Sequence, residues 1–264
     1  MSADTWAAGL AYEAYMGRFS RALAGVCLHW LGAKSSAHWL EVGCGTGALT
    51  GTIEALCEPA SIVACDPSAA FIEHARHSVT SERARFVVAG ADALPARDGG
   101  FDLVISGLVL NFVPEPERAL RAMRESARAG GTVAAYVWDY AGGVEFLQHF
   151  WTEAVLLNPS AAPLDEARRF SLWTRDALVS LFRGAGLEHI QSDVARVPTV
   201  FADFDDYWTP FLGGTGPAPS YVAALEPAGR AALRDRLRAR LPTEPDGQIR
   251  LEARAFIARG ACSR

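Results

Sequence analysis

The 264-residue sequence predicts an α/β fold: a Rossmann-like, mostly parallel sheet of seven strands with helical cap insertions. Three observations predict it. Strand and helix patterns alternate from residue 38 to residue 138. The run Phe101 to Ser106, F-D-L-V-I-S, is almost continuously apolar, as a strand covered on both faces should be. The first strand breaks into a glycine turn, L-E-V-G-C-G-T-G, and a helix opens near Ala48.

The elements follow in order. Phe19, Leu23, Val26, Cys27, Trp30 and Leu31 recur at helical spacing, which makes residues 1–31 an N-terminal helical segment. Strand 38–42, helix 47–57, strand 61–65 and helix 68–79 come next. Phe86 to Ala89 and Phe101 to Ser106 read as the third and fourth strands. Helix 116–128 is expected to stop at Gly130-Gly131, where glycine commonly terminates helices, and Thr132 to Trp138 is the fifth strand. Residues 139–172 form a cap segment whose helix carries Phe146, Phe150 and Trp151 on one face. Helix 174–184 and strand 188–200 restore the rhythm before a second insertion, 202–246, between the last two strands. It holds F-D-D-Y-W-T-P-F-L-G-G and a helix with Leu233, Leu237 and Leu241 in line. Ile249 to Ile257 is the last strand, and the whole of 1–264 reads as one domain.

Composition narrows the class of function. Half the residues are hydrophobic and 21% are charged, enough apolar content for one large core. No apolar run reaches the roughly 18 residues that a membrane span needs, and no basic segment leads into an apolar stretch at the start, so the expected location is cytoplasmic. A net charge of −5 argues against a nucleic-acid partner. Cys27, Cys44, Cys57, Cys65 and Cys262 are odd in number and form no C-x-x-C pair, so reduced core thiols are expected, with no metal site.

The glycine turn carries the first chemical information. Gly43 and Gly45 let the backbone approach a ligand, and the helix behind them aims unpaired N–H groups at it. The same Gly43, Gly45 and Ala48 satisfy the G-x-G-x-x-G/A of dinucleotide folds, so the turn alone leaves a nicotinamide-dependent oxidoreductase open. Glu41 favours a cationic ligand over a pyrophosphate, which it would repel. Asp66, some twenty residues on, suits ribose hydroxyls, although a residue before Pro67 also starts helices. Asp92 in A-G-A-D-A-L-P is a second acidic loop, or a turn cap.

Taken in order, these motifs resemble the class I S-adenosylmethionine-dependent methyltransferases, particularly the bacterial small-molecule type similar to the ubiquinone/menaquinone-biosynthesis methyltransferases. The resemblance covers about residues 10–190 and the final strand. It implies S-adenosyl-L-methionine as cofactor, S-adenosyl-L-homocysteine as product, and a small-molecule acceptor. It further implies cofactor contacts from Glu41, Gly43 and Gly45, from Asp66 with Pro67, from Asp92 with Ala93, and from Ser106 in F-D-L-V-I-S. By the same resemblance Tyr12, Tyr15 and Arg18 in Y-E-A-Y-M-G-R-F-S are cofactor contacts, with Arg18 facing a carboxylate or a surface partner.

Asn111 and Asp139 fall just past the ends of the fourth and fifth strands, the rim where open α/β sheets place ligands; either is a candidate to orient an acceptor, and Asp139 also to take its proton. His149 is a second candidate base. The D/N-P-P-Y/F signature of amino-methylating nucleic-acid enzymes is missing; Ser106-Gly107-Leu108-Val109-Leu110-Asn111-Phe112 stands there instead. A module that binds the cofactor without catalysis remains an alternative. The acceptor, the atom methylated and the oligomeric state are not written in these motifs.

Overall fold

The computed structural model describes residues 13–263. Seven strands form one sheet: β1 (His38–Val42), β2 (Ser61–Asp66), β3 (Ala84–Val88), β4 (Phe101–Gly107), β5 (Ala127–Trp138), β6 (Glu188–Phe201) and β7 (Ile249–Ala261), in the order β3-β2-β1-β4-β5-β7-β6. The pairs β1–β2, β1–β4, β2–β3 and β4–β5 are parallel, with Leu40 opposite Val63 on one side and Val104 on the other. Strand β7 reverses. Gly131 pairs with Cys262 and Asp139 with Arg254, so numbers on β7 fall as those on β5 rise. Across β6 and β7, Arg196 meets Glu252 while Gln191 meets Arg259, again in opposite directions, so β6 runs with β1–β5. The mostly parallel seven-stranded sheet of the sequence is therefore present.

Among the described residues ten α-helices accompany the strands: α1 (Arg18–Leu31), α2 (Ala48–Cys57), α3 (Ala69–Ser78), α4 (Pro116–Ser126), α5 (Glu145–Leu157), α6 (Glu166–Arg169), α7 (Arg175–Gly184), α8 (Phe204–Trp208), α9 (Pro217–Ala224) and α10 (Pro227–Arg240). The largest departures from the expected boundaries lie at the junction of α4 with β5 and at the end of β7. Helix α4 ends at Ser126, not near residue 128, and β5 begins at Ala127, because Ala127 pairs with Phe101 and the backbone of Gly130 and Gly131 bonds Cys262. The glycines thus lie inside a ladder rather than at a helix stop. Strand β7 runs on to Ala261, four residues past the expected end, for the same reason.

The chain resolves into two compact units. The sheet unit comprises 20–137, 172–195 and the chain from 255 onward. Its core joins Leu40, Val42, Phe101 and Val104 of the strands to Leu120 and Met123 of α4 and Leu178 and Phe182 of α7. Each such side chain contributes about 1.5–3 kcal/mol when fully buried. Of the described residues, the second unit comprises 13–19, 138–171 and 196–254, and so contains 202–246 and all but the last residue of 139–172. Its interior is aromatic: Phe150 of α5 stacks on Phe211 at 4.5 Å and 6°, and Tyr207 of α8 donates its hydroxyl to the Phe146 carbonyl at 2.8 Å. Leu233 and Leu237 give α10 its buried face. Arg234 and Arg238 on another face both reach Asp205, so that basic row is ion-paired. All five cysteines are buried and free. Among the described residues no helix is long and apolar enough to cross a membrane, and no cluster of side chains has the makings of a metal site.

Candidate active site

At the carboxyl ends of β1, β2 and β4 the sheet unit builds a polar rim around the glycine turn. The turn is held by Gly43 and Cys44, whose N–H groups both donate to the Cys65 carbonyl, at 2.8 and 2.9 Å. Gly43 has φ +78°, and a Cβ there would lie 2.5 Å from Val109, so the second residue past β4 packs directly on this glycine. Gly45 has φ +53°, and a Cβ there would meet nothing within 4 Å. One glycine serves internal packing; the other borders open space.

Asp66 ends β2 and is buried. Its Oδ2 accepts the Gly45 N–H at 3.0 Å and its Oδ1 accepts the Ser68 N–H at 2.8 Å. Burial pushes its carboxyl above the ordinary value, while those two hydrogen bonds pull it down. A carboxylate offers about four acceptor positions, so two remain for ligand hydroxyls. Pro67 and Ala93 are exposed, as is Asp92, whose side chain folds over Gly90. An open groove of about 490 Å³ runs from Asp92 and Ala93 to Ser126 and Arg128, without any residue of the glycine turn.

Glu41 is only 1% exposed. The Thr50 hydroxyl, from the first turn of α2, donates to its Oε2 at 2.6 Å. Burial raises its pKa to about 8, the Thr50 bond opposes this, and the Asp66 charge adds to it. Ser106 is also buried, with its hydroxyl donated to the Val42 carbonyl at 2.9 Å. The expected cofactor contact at Ser106 is thus, in its side chain, a tie between β4 and β1. Leu108, two residues on, adopts φ +64°, a conformation costly for a branched side chain and typical of functional loops. Asn111 follows, 7% exposed, with neither Oδ1 nor Nδ2 bonded among the described residues. A buried amide without partners costs on the order of 1–3 kcal/mol, and such groups concentrate where a ligand completes them.

The aromatic unit holds the remaining candidates, except Tyr12, which lies outside the described residues. Tyr15 is 3% exposed, its ring edge-on to Phe146 and Phe211, and its hydroxyl has no hydrogen-bond partner among the described residues. Arg18 gives Nη1 to both oxygens of Asp206, at 2.9 and 3.1 Å, and lies over Phe19 and Phe201. Its Nε and Nη2 are buried without partners among the described residues. Asp139 corrects the expectation of a free base. Both Nε and Nη2 of Arg254 bond its Oδ2, the former at 2.7 Å, and its Oδ1 accepts the Gly142 N–H at 3.1 Å. The pairing ties the end of β5 to β7, where Asp139 N–H also donates to the Arg254 carbonyl. His149 is half-buried; burial first and then Arg240 hold its pKa below the ordinary 6.5, and its charged neighbours are Arg240, Glu145 and Glu153.

Sequence reasoning missed Glu166. It is 3% exposed, and Trp151 Nε1 donates to its Oε2. Burial raises its carboxyl to about 8. Only its place in a loop of uncertain register, L-D-E-A-R-R, preceded the structure, and a lone glutamate there carries no periodic signal.

Residues 40–135 match the methyltransferase domain family. The chain is 33% identical over 114 residues to human thiol S-methyltransferase TMT1B, covering 41% of this chain and 45% of the relative. It is 32% identical over 105 residues to the ubiquinone/menaquinone biosynthesis C-methyltransferase UbiE of Hahella chejuensis, covering 38% and 42%. It thus spans less than half the length of these relatives. Among solved structures, phosphoethanolamine N-methyltransferase 2 of Haemonchus contortus, with S-adenosyl-L-methionine bound, superposes with a TM-score of 0.57 at 13% identity, covering 97% of this chain and 57% of that one. That likeness shows a shared fold. Residues 40–135 thus carry a methyltransferase domain, and the ordered motifs and strand order are similar to those of the class I S-adenosylmethionine-dependent methyltransferases.

Proposed function

We propose that this protein is an S-adenosylmethionine-dependent methyltransferase acting on a small organic acceptor by in-line displacement. One observation carries the reading: Asp66, buried at the end of β2, closes onto the Gly45 N–H of a turn whose outer side is open. The residues suit the cofactor. Asp66 has acceptor positions left for two ribose hydroxyls, and the turn and the start of α2 supply backbone N–H donors. Asp92, with Ala93, would accept adenine amino hydrogens, and buried Glu41 would favour a cationic amino-acid tail. The two open donors of Arg18 suit a carboxylate.

When bound, the cofactor supplies an activated methyl group on a cationic sulfur. The protein's part is to bind it, orient an acceptor and exclude water. Asn111 is assigned to orientation. The segments 139–172 and 202–246, which share the aromatic unit, are assigned to acceptor selection. The acceptors named for the relatives are chemically diverse, so the acceptor class has to follow from this chain's own residues. The test is transfer of a labelled methyl group to a panel of amines, phenols, thiols, quinol precursors and carboxylic acids. Labelled product that disappears in Asp66→Ala supports the reading. Tight S-adenosyl-L-homocysteine binding without transfer to any of them favours the non-catalytic module.

A further inference from the structure

We propose that Glu166 and Tyr15 form the polar end of an aromatic acceptor site in the second unit, and that this site takes a small primary or secondary amine. The inference rests on the methyltransferase reading above and names its substrate class. In the step assigned to Glu166 an N–H bond of the ammonium breaks. The proton goes to a carboxylate oxygen of Glu166, and the electron pair stays on nitrogen, free to form the new bond to carbon.

Neither helix capping nor an ion pair among the described residues accounts for the burial of Glu166. It opens α6, but the cap of that helix is Asp165, whose carboxylate accepts the Ala167 N–H at 2.9 Å. The two other fully buried carboxylates in this unit each hold an arginine: Asp139 has Arg254 and Glu153 has Arg236 at 2.7 Å. Among the described residues Glu166 has no such ion pair. Its bonds come from the Trp151 indole and its own backbone N–H, which occupy about two of four acceptor positions.

The surroundings are those of a cation site. From Glu166 the contacts run through Trp151 to Phe150, 5.1 Å away, then to Phe211 at 4.5 Å and to Tyr15 at 5.4 Å. Tyr221 lies 5.6 Å from Trp151. A carboxylate at the edge of a cluster of aromatic side chains attracts an ammonium by charge, and a ring face turned to the nitrogen would add its quadrupole. The Tyr15 hydroxyl, buried and without a partner among the described residues, adds an acceptor or donor for the same nitrogen.

The electrostatics agree with a proton-accepting role. Burial brings the Glu166 carboxyl to about 8; Asp165 raises it, and Arg169 lowers it weakly from the far end of α6. Burial raises the Tyr15 phenol above its ordinary value, and the charges of Glu166, Tyr140 and Tyr207 add to this. An alkyl ammonium near pKa 10 is then about two powers of ten from its acceptor, against about six for an ordinary carboxylate.

The test is calorimetry on the full chain at pH 7, in two buffers of different ionisation heat, with and without S-adenosyl-L-homocysteine. The probes are butylamine, phenethylamine and tryptamine, each against the alcohol of the same skeleton. At least one amine should bind tenfold or more tightly than its alcohol, with release of close to one proton, because ammonium and carboxyl together carry one proton more than their complex. Glu166→Gln should lose that preference while S-adenosyl-L-homocysteine binds within about twofold of wild type. Equal binding of amines and alcohols, amine binding without proton release, or a preference retained in Glu166→Gln overturns the proposal. If Glu166→Gln does not fold, the wild-type proton count and Tyr15→Phe, expected to weaken the amine alone, decide it. Loss of S-adenosyl-L-homocysteine binding with the amine preference intact would count against the methyltransferase reading and not against Glu166.

Discussion

Replacing Glu41 by Gln should change how the stability of the sheet unit depends on pH. Glu41 is 1% exposed and bonded by Thr50 at 2.6 Å, so Gln fills the same space and still accepts from the hydroxyl. The folded carboxyl titrates at about 8 instead of the ordinary 4.5, with burial as the main cause. Below pH 4.5 both folded and unfolded chains hold the proton, and its contribution is fully present. As pH rises the unfolded chain releases the proton first, so that contribution is lost progressively until the folded carboxyl ionises near 8. At about 1.4 kcal/mol for each tenfold step in proton affinity, the loss across that window is on the order of 4–5 kcal/mol. Urea denaturation of wild type and Glu41→Gln from pH 5 to 9 isolates it, since every other group is common to both. Wild type should lose more than about 3 kcal/mol relative to the variant over that range. A difference constant within about 0.5 kcal/mol would refute the assignment of a buried, proton-holding Glu41. Binding of a cationic ligand at Glu41 should move the transition to lower pH.

Three further outcomes follow from the geometry. Gly43→Ala combines φ +78° with a Cβ 2.5 Å from Val109, whereas Gly45→Ala has φ +53° and open space. Thermal melts should therefore show a loss of more than about 2 kcal/mol for the first and about 1–2 for the second, while calorimetry shows weaker S-adenosyl-L-homocysteine binding in both. Asn111→Ala should lower kcat more than it weakens cofactor binding, as steady-state kinetics alongside calorimetry will reveal; equal losses would place Asn111 on the cofactor instead. Arg254→Leu leaves the buried Asp139 carboxylate without its guanidinium and should cost about 3–5 kcal/mol in denaturant, whereas a loss below about 1 kcal/mol would deny the pair its role in joining β5 to β7.

The parallel half of the fold was legible because each strand from β1 to β4 is short, apolar and bounded by polar or glycine punctuation. The limits of β5 and β7 were not. Gly130 and Gly131 look like a helix stop until a partner strand some 130 residues away takes up their backbone bonds. The rim was legible where chemistry is local: Gly45 and Asp66 are brought together by adjacent strands, and a glycine turn followed by an acid records that directly. Asp139 was not, since its position past a strand end is the same whether it meets a ligand or Arg254, and Arg254 is 115 residues distant. Ser106 stood in the right motif, yet its small side chain points into the β1–β4 seam, which one strand's sequence cannot say. Glu166 became visible only when folding removed it from water.

The central claim is that the glycine turn and Asp66 hold S-adenosylmethionine and not a nicotinamide dinucleotide. Calorimetric titration of the full chain with S-adenosyl-L-homocysteine and with NADH, in wild type and Asp66→Ala, tests it most directly. Binding of S-adenosyl-L-homocysteine on the micromolar scale is expected, weakened about tenfold or more by Asp66→Ala as a charge-assisted ribose contact is lost, with NADH inert. Tighter binding of NADH, together with S-adenosyl-L-homocysteine binding that Asp66→Ala leaves unchanged, would contradict it.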